Sequence, residues 1–249
     1  MNIVVAMKQI PDLQQIRIRD RKPVLADVPL TFGNIDKNAL EAAVQIKEKV
    51  DSHVIVVSVG SSELEDTAKE ALAAGADEAR LIICEDVLES SQSAKYLAAA
   101  IKQLDSVDLI LLGEGSGDNY SSQVGSRVAQ ILGMPQVGYV NHIEIQGDTA
   151  RVTRSLEDCE QTLEVKLPAV IMVASDINTV RIPSVSQILK AGRKPSELTE
   201  SKDLDMEIPD PLVGTISNLA PEMQRKQIVV KTVNELVRVL AGEGWREKE

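Results

Sequence analysis

The sequence predicts an α/β fold built on a doubly wound, mostly parallel sheet. Short aliphatic strands alternate with helical periods through the first two thirds of the 249 residues. The apolar residues are almost all aliphatic, with one Phe, three Tyr and one Trp in the chain. Such a composition suits strands that are covered by helices on both faces. The alternation predicts parallel strands joined by right-handed crossovers.

The elements are expected in a regular order. Strands are predicted at 2–7, 53–59, 79–84, 108–112 and 168–174, each as a short aliphatic run. Helices are predicted at 36–50, 63–74, 91–104 and 123–132, from apolar residues at helical spacing. Asp36 is expected to cap the start of the first helix, and Gly75 to end the second.

Two later stretches of the chain follow a different pattern. Apolar and polar residues alternate between 141 and 165 around Gln146-Gly147-Asp148, which predicts antiparallel hairpin strands. After Ser175, proline and charged residues interrupt the chain, so no strand-helix unit is expected. We predict a nucleotide-binding domain at 1–175 and, at 176–249, an extended partner-binding arm with a short helix near 186–190 and a last helix at 232–240. Such an arm is expected to need a partner rather than its own chain.

Composition excludes several function classes. A net charge of −11 and an aromatic content of 2% argue against nucleic-acid binding. Two isolated cysteines suggest a reducing compartment, and two histidines leave little material for zinc or Ser-His-Asp chemistry. The apolar runs are too short to cross a bilayer and the start does not resemble a signal peptide. We therefore expect a cytoplasmic protein with no transmembrane segment.

The segment LILLGEGSGDNYSSQVGSRVAQIL, residues 109–132, is the most informative motif. A buried strand is followed by a turn in which Gly113, Gly115 and Gly117 are free to adopt positive φ and to let a ligand approach the backbone, and then by a helix. This order places free N–H groups and the positive end of a helix dipole together, which suits a phosphate. The spacing is neither a Walker loop nor GxGxxG, so an uncommon kind of nucleotide site is predicted.

Several motifs together resemble the beta subunit of electron transfer flavoprotein. In order they are VVAMKQIPD, DKNALEAAVQIKE, VVSVG, ALAAGADEA, LLGEGSGDNYSSQVG, ILGMPQ, LEDCEQTL, LPAVIMVASDIN and RIPSVSQILKA. They extend from residue 1 to about 194, and GEGSGDNYSSQVG with SLEDCEQTL most resembles the Fix-type branch. The resemblance implies an adenine nucleotide alpha-hydrolase-like fold.

The resemblance also implies a heterodimer that carries electrons. An alpha subunit would hold most of a redox-active FAD, and an acyl-CoA dehydrogenase-like flavoenzyme would exchange electrons with it. The beta subunit would hold AMP or, in flavin-bifurcating members that take electrons from NADH, a second FAD. It would perform no bond chemistry, so neither catalytic residues nor a metal site are expected. A different class, a stand-alone protein that binds or hydrolyses an adenine nucleotide, rests on fold analogy alone.

The resemblance assigns site residues one by one. Those expected to bind the cofactor are Ala6, Asp36, Val59, Gly113, Gly117, Asp118, Ser121, Ser122, Gln123, Val124, Gly125 and Ser126. Physical chemistry agrees in part, because Ser122 could cap the helix while the N–H groups of Gln123, Val124 and Gly125 face a phosphate. Asp118 is assigned to the ribose hydroxyls or to loop structure.

Other matched positions concern partners. Leu13 and Ile35 match aromatic positions near the flavin of the alpha subunit. Arg181 and Val185 match a basic residue and a leucine that dock on the dehydrogenase; the alternative is that Ile182 and Val185 pack on the core of their own chain. Tyr120 replaces the second aspartate of the bifurcating loop, which leaves AMP and a second FAD as alternatives.

Overall fold

The computed structural model describes residues 1–204, 206–207, 210–222 and 227–242. A nine-stranded sheet forms its centre, in the order β11-β10-β9-β12-β8-β1-β6-β7-β13. Its strands are β1 (Asn2–Ala6), β6 (His53–Gly60), β7 (Glu78–Ile83), β8 (Leu109–Gly113), β9 (Gln136–Gln146), β10 (Thr149–Ser155), β11 (Glu160–Lys166), β12 (Ala169–Val173) and β13 (Ser196–Glu200). Two small antiparallel sheets pair β2 (Gln9–Pro11) with β5 (Leu30–Phe32) and β3 (Arg17–Arg19) with β4 (Lys22–Val24).

Helices cover both faces of the sheet, which confirms the doubly wound prediction. The helices of the described ranges are α1 (Asn34–Lys47), α2 (Leu64–Ala74), α3 (Ser90–Lys102), α4 (Val124–Leu132), α5 (Val185–Ala191) and α6 (Val233–Gly242), and α1 to α4 provide the cover. Apolar residues of α1 and α2 pack in one buried layer, and those of α3 and α4 in a second layer on the opposite face. Strands β1, β8 and β12 are buried almost throughout, as expected when both faces of a parallel sheet are covered.

The strand order reverses beside β1. The chain passes from β1 to β6 and β7 on one side, then returns to β8 on the other side of β1, and all these neighbours are parallel. The carboxyl ends of β1, β6 and β8 therefore lie at a switch point, where crossovers diverge and leave a crevice. This arrangement positions the candidate site.

The antiparallel prediction is confirmed. Strands β9, β10 and β11 form a meander at one edge of the sheet, with the turn at Gly147 in the left-handed region (φ 63°). Strand β9 also pairs in parallel with β12, which joins the meander to the parallel core. Gly75 ends α2 as expected, at φ 134°.

Two expectations about local structure were wrong. Asp36 does not cap α1, because the helix begins at Asn34 after Gly33 and so places Asp36 buried in the first turn. The segment after Ser175 does form a helix-strand unit on its own chain, since β13 pairs in parallel with β7 beyond α5. Its sequence, SELTE, is polar because it forms an exposed sheet edge, so it carried no apolar pattern for prediction.

Lys194 fastens this segment to the core. Its Nζ donates hydrogen bonds to the carbonyl oxygens of Leu72 and Ala76, at 2.7 and 2.5 Å, at the end of α2. Carbonyls at a helix end lack partners within the helix, and a lysine there satisfies them. No helix in the described ranges is long and apolar enough to cross a membrane.

Candidate nucleotide-binding site

A cleft of about 520 Å³ lies at the switch point, beyond the carboxyl ends of β1, β6 and β8. Sites for small molecules commonly have volumes of about 300–1,000 Å³. Ala6, Val59 and Leu112 provide apolar wall at the strand ends, while the loop after β8 and the start of α4 provide polar wall. The cleft therefore has the position and the mixed lining of a nucleotide site.

Most of the residues expected to bind the cofactor come together here. Those that line the cleft are Ala6, Asp36, Val59, Gly113, Asp118, Ser121, Ser122, Gln123, Val124 and Gly125. Gly117 and Ser126 lie in the same loop and helix turn but outside the lining that the structure describes. Their binding roles stay predictions.

Asp36 joins three elements at the base of the cleft. Its Oδ2 accepts a hydrogen bond from the backbone N–H of Lys8 at 2.7 Å, and its Oδ1 accepts one from the N–H of Gly113 at 3.1 Å. The side chain thus ties α1 to the carboxyl ends of β1 and β8. Burial raises the pKa of Asp36 to about 6, against the opposing effect of the two N–H donors.

The three glycines of the loop are free to adopt positive φ, but none of them does so in the structure. The positive φ angles lie at Tyr120 (44°) and Ser122 (54°), whereas Gly113, Gly115 and Gly117 have none. Gly113 is required for close approach instead, whereas the exposed end of the Leu13 side chain could move away from a Cβ at Gly117. A Cβ at Gly113 would lie 2.7 Å from Asp36 Oδ1, and one at Gly117 would lie 2.8 Å from Leu13 Cδ1.

Helix α4 begins without a side-chain cap. Gln123 is its N-cap residue and no side chain in the described chain accepts a hydrogen bond from its first turn, so the expectation that Ser122 caps it was wrong. The left-handed backbone at Ser122 turns the chain before the helix starts. The first N–H groups of an uncapped helix need an outside acceptor, and an anion suits them.

Gly125 lets this helix start lie against the sheet. A Cβ at Gly125 would overlap the Met172 side chain on β12 and lie 3.2 Å from Leu112 on β8. The close approach places the α4 terminus directly beside the ends of these strands. Gly125 therefore serves the geometry of the site even where it makes no ligand contact.

Asp118 is held by Lys8 across the cleft mouth. Lys8 Nζ and Asp118 Oδ2 are 2.6 Å apart. Partial burial acts to raise the pKa of Asp118, but hydrogen bonds from Lys8 and Ser116 hold it below its usual value. The pair joins the end of β1 to the glycine loop, and both roles considered for Asp118 stay predictions.

The lining is strongly acidic. Lys8 is the one cationic side chain among the described lining residues, and the acidic ones are Asp36, Glu85, Asp86, Glu89, Glu114 and Asp118. Sequence reasoning missed Lys8 and the segment at 84–90. Both follow strands whose carboxyl ends meet at this edge, so strand position alone could have indicated them.

The acidic side chains of the lining were also considered as a cluster of metal ligands. No group of three or more His, Cys, Asp or Glu side chains in the described ranges is arranged to hold a metal ion. Glu89 is already committed, because it caps α3 by accepting a hydrogen bond from the N–H of Ser91 at 3.0 Å.

Comparison with known proteins identifies the family. A family model described as the electron transfer flavoprotein domain matches residues 24–204. The chain belongs to the electron transfer flavoprotein beta-subunit family. It is 37% identical over 214 residues to an electron transfer flavoprotein subunit beta of Clostridium acetobutylicum, covering 83% of this chain and 81% of that protein. It is also 37% identical over 212 residues to the subunit of that name from Thermoanaerobacterium thermosaccharolyticum, with the same coverage of both chains.

Two aliphatic residues of this electron transfer flavoprotein family member lie beside the glycine loop. Leu13 packs over Gly117, and Ile35 packs over Gly113. Both lie outside the lining of the cleft in the described structure. Their expected place near the flavin of an alpha subunit stays a prediction.

The arm of this family member separates the two residues that were expected to dock a dehydrogenase. The Arg181 guanidinium lies on α1, with Nε 2.7 Å from Glu41 Oε2 and Nη1 2.7 Å from Glu48 Oε1. Val185 is 75% exposed and Ile182 is 94% exposed, so neither packs on the core. Arg181 fixes the base of the arm while Val185 projects from it.

Proposed function

We propose that this chain is the beta subunit of a heterodimeric electron transfer flavoprotein. It pairs with an alpha subunit that holds most of a redox-active FAD, and the complex carries electrons between an acyl-CoA dehydrogenase-type enzyme and another redox partner in the cytoplasm. Membership of the family supports this function. The acidic surface and the scarcity of aromatic side chains are compatible with it and unfavourable to nucleic acid.

The cleft at the switch point holds AMP in this proposal. The observation that carries it is the uncapped start of α4, whose residues Gln123, Val124 and Gly125 line the cleft. Their position fits one phosphate, because helix N-terminal N–H groups and the helix dipole favour an anion. The apolar strand ends at Ala6 and Val59 fit the adenine ring at the other end.

The charge of the lining limits how many phosphates fit. Six acidic side chains repel a triphosphate, and Lys8, the single described lysine of the lining, is already paired with Asp118. These features argue against a stand-alone ATP-hydrolysing protein and favour a nucleotide with a purely architectural role.

The arm is the surface that docks the dehydrogenase in this proposal. Val185 supplies an exposed aliphatic side chain on the first turn of α5, and Arg181 holds that turn in place from α1. An exposed aliphatic becomes a binding hot spot where the partner offers a pocket. In this proposal the chain contributes a fold that is stabilised by the bound nucleotide, together with a docking site. The FAD supplies the redox chemistry of the complex.

A cofactor count tests the proposal. The chain is co-expressed with its alpha subunit, the complex is purified, and FAD and AMP are released and quantified. We expect a yellow heterodimer with one FAD and one AMP. Two FAD and no AMP would show the bifurcating alternative, in which a second FAD occupies the beta subunit. A colourless monomer that binds no partner would contradict the function as a whole.

A further inference from the structure

The segment at 210–222, which follows β13 in the chain, forms part of the wall of the cleft. Its residues Val213 and Thr215 line the cleft together with residues of the central sheet and of the glycine loop. All residues of the segment except Ala220 are exposed to solvent, so this part of the wall is an outer one. The residues at 211–221 carry no charged side chain, so they add nothing to the repulsion that the acidic lining exerts on an anion.

The segment enters from the edge of the sheet where the cleft lies. Strand β13 is parallel to β7, so it ends at the same edge as the strands that reach the cleft. Leu204, shortly beyond β13, is buried in the apolar layer of α3 and α4, which also contains Cys84 of the cleft lining. This packing fixes the chain ahead of the segment.

Arg21 fixes the other end of the segment. It lies in the turn between β3 and β4, and its Nε donates a hydrogen bond to the carbonyl oxygen of Ala220 at 2.8 Å. Its Nη1 lies 2.5 Å from Glu222 Oε1, and its own carbonyl oxygen accepts a hydrogen bond from the N–H of Ala220 at 2.7 Å. Because the chain is held at Leu204 and again at Ala220, the residues that line the cleft lie between two fixed points.

The backbone of Arg21 supports a role for its side chain. Asp20 and Arg21 form the two-residue turn of the β3–β4 hairpin, with φ angles of 50° and 64°. Such turns favour Asn-Gly, because both central residues need positive φ and a residue with a Cβ is strained there. The chain thus has an arginine where a glycine would be less strained, and the contacts with Ala220 and Glu222 offset part of that cost.

We propose that the segment 210–222 is a strap that covers bound AMP in the cleft. In this proposal Val213 packs on the nucleotide, and Arg21 is a positioning residue that holds the strap closed. AMP then enters and leaves only when the strap has opened. The inference rests on the proposed AMP site and deepens it, because it says how a cleft with an acidic lining retains an anion.

The strap has a kinetic signature. The Arg21 contacts join two parts of the chain and do not involve the ligand, so their loss in Arg21→Ala favours the open strap equally with and without AMP. The association and dissociation rate constants of AMP should therefore rise by the same factor, and the Kd should stay within about twofold. One hydrogen bond and one exposed ion pair correspond to a factor of about three to ten. Damage to the site would instead raise the Kd.

Val213 should affect the affinity itself. Val213→Ala removes apolar surface that packs on AMP, so the Kd should rise about threefold through faster dissociation. Ile216→Ala is its matched control, because Ile216 lies in the same segment and is fully exposed. Arg19→Ala is the control for the charge of the hairpin, because the exposed Arg19 makes no closer ion pair than the one to Asp20 at 3.9 Å in the described chain. Both controls should leave the two rate constants unchanged.

Labelled AMP and the full-length chain, freed of nucleotide, test this inference. Equilibrium dialysis gives the Kd, and a chase with excess unlabelled AMP gives the dissociation rate constant. The dissociation rate constant divided by the Kd gives the association rate constant. All three are measured for the unmodified protein, the two variants and the two controls.

The outcomes separate the strap from the proposed site. An unchanged dissociation rate constant in Arg21→Ala would overturn its positioning role, and so would a raised Kd with an unchanged association rate constant. An unchanged Kd in Val213→Ala, or an equal rise in Ile216→Ala, would overturn the contact with AMP. Each of these results leaves the AMP site in place, whereas no binding of AMP by the unmodified protein would overturn the site and the strap with it.

Discussion

The buried carboxylate of Asp36 accepts a hydrogen bond from the backbone N–H of Gly113, so the first helix holds the strand that leads into the glycine loop. Because its other oxygen is bonded to the N–H of Lys8, the two strands beside the switch point share one anchor. No Cβ fits at Gly113, where it would contact the same carboxylate. The crevice is thus shaped by a side chain that lies seventy-seven residues earlier in the chain.

The pH dependence of folding should reveal this anchor. Burial raises the pKa of Asp36 from its ordinary 3.8 to about 6, so the folded protein holds the proton more tightly than the unfolded chain. The stability that this contributes is present below pH 4 and is lost as pH rises through 6. The unmodified protein is compared with Asp36→Asn by their free energies of unfolding. We expect the difference between the two, unmodified minus variant, to decrease from pH 4 to pH 7 by at most about 3 kcal/mol.

Urea unfolding at several pH values measures this difference. Asp36→Asn should be the less stable protein at pH 5, by about 1–3 kcal/mol, since one amide oxygen cannot accept both N–H groups. The matched control is the exposed Asp105→Asn, whose difference from the unmodified protein should not vary with pH in this way. A difference for Asp36→Asn that is constant from pH 4 to pH 7 would contradict the prediction.

Substitution of Gly125 should disturb both the fold and the site. An alanine Cβ would overlap Met172 and crowd Leu112, so the start of α4 must move away from the sheet. We expect Gly125→Ala to destabilise the protein by about 1–3 kcal/mol and to weaken AMP binding, as measured by denaturant unfolding and calorimetry. Gly192→Ala is the control, because its Cβ meets no atom within 4 Å at a helix-compatible φ of −66°. Equal stability of the two variants would show that α4 does not depend on this close packing.

Arg181 should stabilise the folded chain even when no docking partner is present. Its guanidinium bonds both oxygens of Glu41, whose side chain is only 5% exposed, and also reaches Glu48. Arg181→Ala should cost about 1–3 kcal/mol in urea unfolding, since a buried carboxylate loses its partner. The double variant Arg181→Ala with Glu41→Gln should recover part of that loss, because a neutral amide does not require a cation. An unchanged unfolding free energy in Arg181→Ala would contradict the structural role of these contacts.

Val185, by contrast, should contribute to docking and hardly at all to the stability of the fold. It is exposed, so Val185→Ala should change the free energy of unfolding by less than about 0.5 kcal/mol. If it docks in a pocket of the dehydrogenase, electron transfer between that enzyme and the complex should slow by about tenfold, with flavin content unchanged. The control is Ile18→Ala, an exposed aliphatic on the β3–β4 hairpin, which should leave the rate unaltered. Identical stopped-flow rates for Val185→Ala and the unmodified protein would argue against the docking role.

The elements that could be predicted are those whose burial leaves a local pattern. The runs NIVVA, HVIVVSVG and LILLG are continuous and aliphatic because both faces of each strand are covered, and each formed a strand within a residue or two of its expected bounds. The position of the site also followed, since parallel strands with reversing order place their carboxyl ends at one crevice. Strand β13 could not be predicted, because its polar residues gain only backbone pairing at the edge of β7.

The roles of individual side chains also divide into those that the local sequence predicts and those that depend on tertiary packing. By itself, the sequence determined a doubly wound aliphatic sheet with a glycine loop before a helix, because local periodicity and turn chemistry depend on neighbouring residues. The tertiary structure decided that Asp36 anchors two strands instead of capping a helix, that Lys8 engages Asp118, and that Arg181 braces the arm. These contacts join residues 28 to 140 positions apart, so their distances depend on how the helices and strands pack and leave no mark in the local sequence.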